Sequence, residues 1–118
     1  MTSTNLSIPS AAVVVDTSHS PNARLHPVPI DAVKLEDTFW RPRREQNRKI
    51  IIPGQYKLCE DTGRIDNLRI AAGMKQGEFE GFFFNDSDVY KLLEAAAWQL
   101  AGVKDPELEH MIDDVTAI

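Results

Sequence analysis

The sequence predicts a mainly helical fold, and three observations predict it. Val89, Leu92, Leu93, Ala96, Ala97 and Leu100 fall at steps of three and four, which lays an apolar face along one side of a helix. Leu108, Met111, Ile112 and Val115 repeat that spacing behind Asp105-Pro106, a capping residue followed by a first-turn proline. Gly63 and Gly73 stand where two earlier helical runs would have to close.

Residues 1–27 are rich in Ser, Thr, Asn, Pro and Ala, with no sustained period, which is the composition of a disordered leader that carries no chemistry. Val28, Ile30, Val33 and Leu35, with Pro29 and Lys34 between them, suggest one short N-terminal extended segment. The proline favours an edge position for it, and no second strand is evident. Asp37-Thr38 can cap a polar-faced helix running from Phe39 to Ile50, with Pro42 in its first turn. Pro53 should then force a break or a fresh start. Ile50, Ile51, Tyr56 and Leu58 continue a helical face up to Asp61-Thr62-Gly63, and Ile65 to Ala72 forms a short helix stopped by Gly73.

The link Gly102-Val103-Lys104 is short, so the last two helices should form an antiparallel hairpin. The final helix carries no closing signal and reads as cut at Ile118. Two apolar faces this pronounced call for further helices or a partner chain to cover them. No internal repeat would let the chain cover itself.

A chain of 118 residues holds one small domain at most, and its net charge of −5 opposes approach to nucleic acid or to an anionic membrane. Small neutral ligands and proteins remain open as partners. With a single cysteine, Cys59, no intrachain disulfide and no multi-cysteine metal site can be built from this chain. A reducing, cytoplasmic setting fits best. The apolar run Ala11 to Val15 is shorter than a signal-peptide core, lacks a basic leader and meets Asp16 at once, and nothing approaches the length of a membrane span.

The stretch Phe79 to Lys91 gathers aromatics, a glycine and two carboxylates directly before the clearest helix. Helix starts present unpaired N–H groups and partial positive charge, so polar groups there can hold a hydroxyl-rich ligand as well as cap the helix. Both readings stand for Asp86 and Asp88, which could bind sugar hydroxyls or share acid and base roles, or simply cap. Phe79, Phe82, Phe83 and Phe84 could offer a ring for a sugar face, Phe84 foremost, yet clustered phenylalanines usually mean core.

Arg41, Arg43, Arg44, Arg48 and Lys49 could suggest a nucleic-acid patch, but Glu45 interrupts them and helical spacing spreads them into a solvated face. Cys59 beside Glu60 and Asp61 should have a raised thiol pKa and be an ordinary buried or half-buried cysteine. His19, His26 and His110 assemble neither a triad nor a metal site, and no phosphate loop, dinucleotide fingerprint or zinc-ligand spacing is present. The residues therefore assign no catalytic group and no metal ligand.

Four segments, Asp37-Thr38-Phe39-Trp40-Arg41-Pro42-Arg43, Ile52-Pro53-Gly54-Gln55-Tyr56, Asn67-Leu68-Arg69-Ile70-Ala71-Ala72-Gly73 and Gly81 to Lys91, closely resemble the start of glycoside hydrolase family 127 in order and spacing. The Asp86-Ser87-Asp88-Val89-Tyr90-Lys91 string is the most specific part, and the resemblance runs from about Val28 to Ile118. It implies a β-L-arabinofuranosidase-like enzyme whose catalytic domain is an (α/α) barrel of six helical hairpins followed by β-sandwich domains. Residues 28–118 would then be the N-terminal part of that domain, an incomplete barrel, with Val28 to Leu35 joining a distant sandwich.

The resemblance further implies a retaining hydrolase of arabinofuranoside-type carbohydrate. Such an enzyme would use a cysteine nucleophile in a zinc site of one glutamate and three cysteines, with a second glutamate as acid/base. None of that machinery matches a residue of this chain, Cys59 included, so no cofactor is assigned to it and the chain alone is expected to be inactive. The substrate-binding residues it would contribute are Phe84, Asn85, Asp86 and Asp88. The alternative from another class is a non-catalytic helical module whose exposed face docks on another protein, and a third reading is a truncation that is never a stable protein.

Overall fold

The computed structural model describes residues 13–118, so residues 1–12 of the expected leader, with the first part of its apolar run, lie outside the described residues. The chain divides into two units, Met1–Leu35 and Glu36–Ile118. In the described part of the first unit, Asp16 accepts a hydrogen bond from the Ser18 amide at 2.9 Å and Thr17 Oγ1 bonds His26 Nδ1 at 2.9 Å. Residues 28–35 differ from the single extended segment expected. Ile30–Ala32 winds into one 3₁₀ turn closed by the Ala32 amide on the Pro29 carbonyl at 3.0 Å, with extended backbone at Val33. The described residues contain no strand with which this segment could pair, so its backbone groups find a partner locally.

The second unit is built from five α-helices. Asp37 receives the amides of Phe39 at 2.8 Å and Trp40 at 2.6 Å, and these bonds, Trp40's foremost, hold its carboxyl below the usual carboxylate range. That cap opens α1 (Trp40–Gln46), with Pro42 in its first turn as the sequence predicts. The break expected at Pro53 takes another form. Asn47–Ile51 is a π-helical segment, Ile52 donates to the Asn47 carbonyl five residues back, and α2 (Ile52–Asp61) follows, with Gln46, Asn47, Ile51 and Ile52 all at helical dihedrals. Proline lacks an N–H and its ring crowds the carbonyl four residues behind, so a widened turn just ahead of it lets the helix continue.

Gly63, at φ 74°, ends α2 and begins α3 (Arg64–Ala71). A side chain is disfavoured there by the left-handed backbone, and the exposed Glu80 carboxylate, 2.8 Å from a Cβ position, would have to move aside for one. The expected stop after α3 is a Schellman closure, with the Gly73 amide on the Ile70 carbonyl at 3.0 Å and the Met74 amide on that of Arg69 at 2.8 Å. Helix α4 spans Asp86–Leu100 and α5 spans Pro106–Thr116, the latter capped by Asp105 accepting from the Leu108 amide at 3.2 Å. The two pack against each other across the short link, as a helical hairpin should.

The core gathers Ile52 and Cys59 of α2, Ile65 of α3, Val89, Leu92 and Ala96 of α4, and Leu108, Met111 and Val115 of α5. Helix α4 packs on α2, α3 and α5 alike. Its buried stripe is narrower than its apolar face, since Leu93 and Leu100 are half-buried and Ala97 is exposed. Each fully buried aliphatic side chain of this kind contributes about 2 kcal/mol by removal from water.

The solvated face expected for the basic run holds for Arg41, Arg43 and Lys49, and Arg43 sits over the Phe39 ring at 3.6 Å. It fails for Arg48, whose side chain is only 13% exposed and pairs with Asp105 and, at 2.9 Å, with Glu45. Asp105 thus caps α5 and anchors the π segment with one carboxylate. Its bond from Leu108 and then its pairing with Arg48 hold it below the usual range. A second tie joins α3 to α2: Arg69 forks onto Glu60 with bonds of 2.6 and 2.7 Å, while the Tyr56 hydroxyl donates to the same carboxylate at 3.1 Å.

Ile65 is fully buried, so Ile65→Val should cost about 1 kcal/mol and Ile65→Ala roughly 3 kcal/mol in urea denaturation. Glu60 is held below its usual range by Arg69, Asp66 by Lys75 and Arg69, and Asp105 as described. A carboxylate whose folded pKa is depressed stabilises the fold above its unfolded pKa and loses that contribution as pH falls through the folded value. Thermal melts should therefore show Tm falling once pH drops below about 4.5. Glu60→Gln should melt lower than the native chain at pH 7 and converge with it toward pH 3.

Candidate functional site

The loop between α3 and α4 is held by its backbone and not by its rings. Asn67, on α3 and 9% exposed, donates from Nδ2 to the Glu80 carbonyl at 2.9 Å and accepts the Glu80 amide on Oδ1 at 2.9 Å. One residue later Gly81 stands at φ 90°, and the Asn85 side-chain amide fills the space that a Cβ there would need. Ile70 approaches Gly77 in the same manner, 3.1 Å from its Cβ position. Overlapping turns then wind the chain into α4, with Asn85 N–H on the Phe82 carbonyl at 3.0 Å, Ser87 on Phe84 at 3.1 Å and Asp88 on Asn85 at 3.2 Å.

The reading of the four phenylalanines as core does not hold. Phe79, Phe82, Phe83 and Phe84 are 53, 69, 89 and 54% exposed. The inward positions at this end are taken by Asn67 and Asn85, which leaves the rings outside. Phe82 and Phe84 stack at 5.5 Å and 3°, and Phe83 meets Phe84 edge-on at 5.2 Å and 83°. The result is a small aromatic surface open to solvent.

The structure brings Phe84 into the middle of this surface. It does not bring the Asn85 side chain there, because Asn85 is 4% exposed and packs over Gly81. Asp86 is half-buried and accepts the amide of its own neighbour Ser87 at 2.9 Å, and Asp88 is exposed and bonds Arg64 Nε of α3 at 2.7 Å. The capping alternative is met only electrostatically. Asn85 holds the N-cap position without a side-chain cap bond, while both carboxylates lie in the first turn, where negative charge is favoured.

Arg64 and Asp88 also rim a groove of about 440 Å³ between α2 and α4, lined below by Ile52, Cys59 and Leu92. Burial pushes the Cys59 thiol up, so it is poorly suited to act as a nucleophile or thiolate ligand. A wider groove, about 850 Å³, lies between Tyr56 and Arg48 on one side and the start of α5 on the other. None of the phenylalanines lines either groove. Among the described residues no group of three His, Cys, Asp or Glu side chains is placed to hold a metal ion, so the residues present do not fit the zinc that the family resemblance implies.

The residues that shape this site and that sequence reasoning passed over are Asn67 and Arg64. An asparagine inside an eight-residue helix was the available signal, since it is a poor helix former unless its side chain has a use.

Residues 32–118 match the family model described as β-L-arabinofuranosidase, GH127 catalytic domain. The chain is also similar to the non-reducing end β-L-arabinofuranosidase of Bifidobacterium longum subsp. longum, at 36% identity over 100 residues. That similarity covers 69% of this chain and 15% of the relative, so the chain spans a small part of the relative's length.

Gly81→Ala combines a strained positive φ with a collision against Asn85. It should lower stability by roughly 2 kcal/mol and disperse the Phe82–Phe84 ring signals in NMR spectra, whereas Gly54→Ala, with open space around it, should do neither.

Proposed function

This chain belongs to the glycoside hydrolase family 127 catalytic-domain family, and on that premise we propose that it forms one wall of the sugar site of a β-L-arabinofuranoside hydrolase. The observation that carries this reading is the solvent-facing ring group Phe82–Phe84 held just ahead of the acidic first turn of α4. A sugar ring has an apolar C–H face and a polar hydroxyl rim, which an aromatic surface beside carboxylate acceptors complements. Phe84 stacks on the sugar, Asp86 and Asp88 accept its hydroxyls, and Asn85 contributes by fixing the turn at Gly81.

Hydrolysis itself falls to groups that this chain does not supply. The nucleophile, the acid/base and any zinc would come from the remainder of the complete enzyme. In that enzyme residues 28–118 form the opening part of an (α/α) barrel behind a leader of residues 1–27, in a cytoplasmic setting. The half-exposed Phe39, Trp40 and Trp98 favour a complementary role as well, docking the remainder of the catalytic domain.

The test is a titration of the 118-residue chain with methyl β-L-arabinofuranoside, followed by amide shifts. Perturbation confined to residues 79–91 is expected, with no release of product from p-nitrophenyl β-L-arabinofuranoside by the chain alone. In a complete catalytic domain carrying this segment, Phe84→Ala should raise KM about tenfold, equivalent to about 1.4 kcal/mol. Unperturbed amides together with an unchanged KM would reject the reading.

A further inference from the structure

We propose that Asn67 is the positioning residue of this site, setting the presentation of the Phe82–Phe84 surface through its grip on the Glu80 peptide; the inference rests on the sugar-site reading above. A primary amide offers one donor edge and one acceptor edge, the complement of one residue's backbone C=O and N–H, and here both bonds, to the carbonyl and amide of Glu80, are 2.9 Å long. Asn67 is buried, so water competes weakly for either bond. The residue it grips immediately precedes Gly81, where the chain turns at φ 90° to carry the rings outward. Because the rings themselves are exposed, their burial supplies little to hold the loop in place. The Asn85 amide lies over Gly81, the residue after the one that Asn67 grips.

An ionised carboxylate of the same shape could accept the Glu80 amide but could not donate to the Glu80 carbonyl. Asn67→Asp therefore cuts one of the two bonds without creating a cavity. Leu68→Ala is the matching control, since Leu68 lies half-buried on the same helix, packed against the core and outside the clip.

Two readouts on the 118-residue chain decide the matter: hydrogen exchange at the amides of residues 80–85, and affinity for methyl β-L-arabinofuranoside. The expected result is exchange roughly tenfold faster and affinity roughly tenfold weaker in Asn67→Asp, with native values for both in Leu68→Ala despite its lower Tm. Equal effects in the two variants, or native behaviour in Asn67→Asp, would overturn the inference. If the native chain does not bind the sugar, the sugar-site reading falls, and the positioning of the aromatic surface is judged on exchange alone by the same comparison. Should Asn67→Asp fail to fold, Asn67→Ser is read in its place.

Discussion

The buried stripe of α4 is the constraint on which the rest of this molecule depends. Val89 and Ala96 are wholly removed from solvent and Leu92 nearly so, and the three helices α2, α3 and α5 all meet there. The small side chain at Ala96 permits close approach, while Val89 and Leu92 fill the space between neighbours. With so few core residues, each contact on that stripe is a large share of the stabilising energy. The ion pairs sit outside this centre and tie helices to one another: Arg69 to Glu60, Arg48 to Asp105 and Arg64 to Asp88. Partly exposed pairs add little to stability in isolation, and here they link α2 to α3, the π segment to the start of α5, and α3 to α4.

Much of this architecture was legible beforehand because its signals are local. Helices α4 and α5 announce themselves by period, and Asp105-Pro106 and Gly73 mark boundaries that chain stereochemistry enforces. The misreadings share a cause in features that local rules cannot see. Pro53 was expected to interrupt a helix, yet a change of hydrogen-bond register ahead of it absorbs the defect. Arg48 resembles its exposed neighbours in every respect except the presence of Asp105, far along the chain. Hydrophobicity favours the core for the phenylalanines, with Phe84 the candidate for a sugar face, but two asparagines hold the inward positions and leave the rings in water.

The candidate site divides in the same way. Phe84, Asp86 and Asp88 stand out as residue types suited to carbohydrate, gathered at a helix start. Asn67 does not, because its partners are the backbone N–H and C=O of one residue, groups that nearly every residue carries. Only the fold selects Glu80 as the one it grips. An exposed aromatic surface over a buried polar clip separates the rings that face solvent from the group that holds their loop in place. The former is visible in composition and the latter in geometry.

The π segment at Asn47–Ile51 changes the facing direction within one continuous helical run. Each residue of an α-helix advances the facing direction by about 100°, and a π turn is the form in which one additional residue is absorbed without ending the helix. The segment therefore acts as a phase joint. On one side of it Arg48 meets Asp105, and on the other Ile52 and Cys59 face the core. One helical run thereby serves two facing directions, an ion pair before the joint and a hydrophobic core after it.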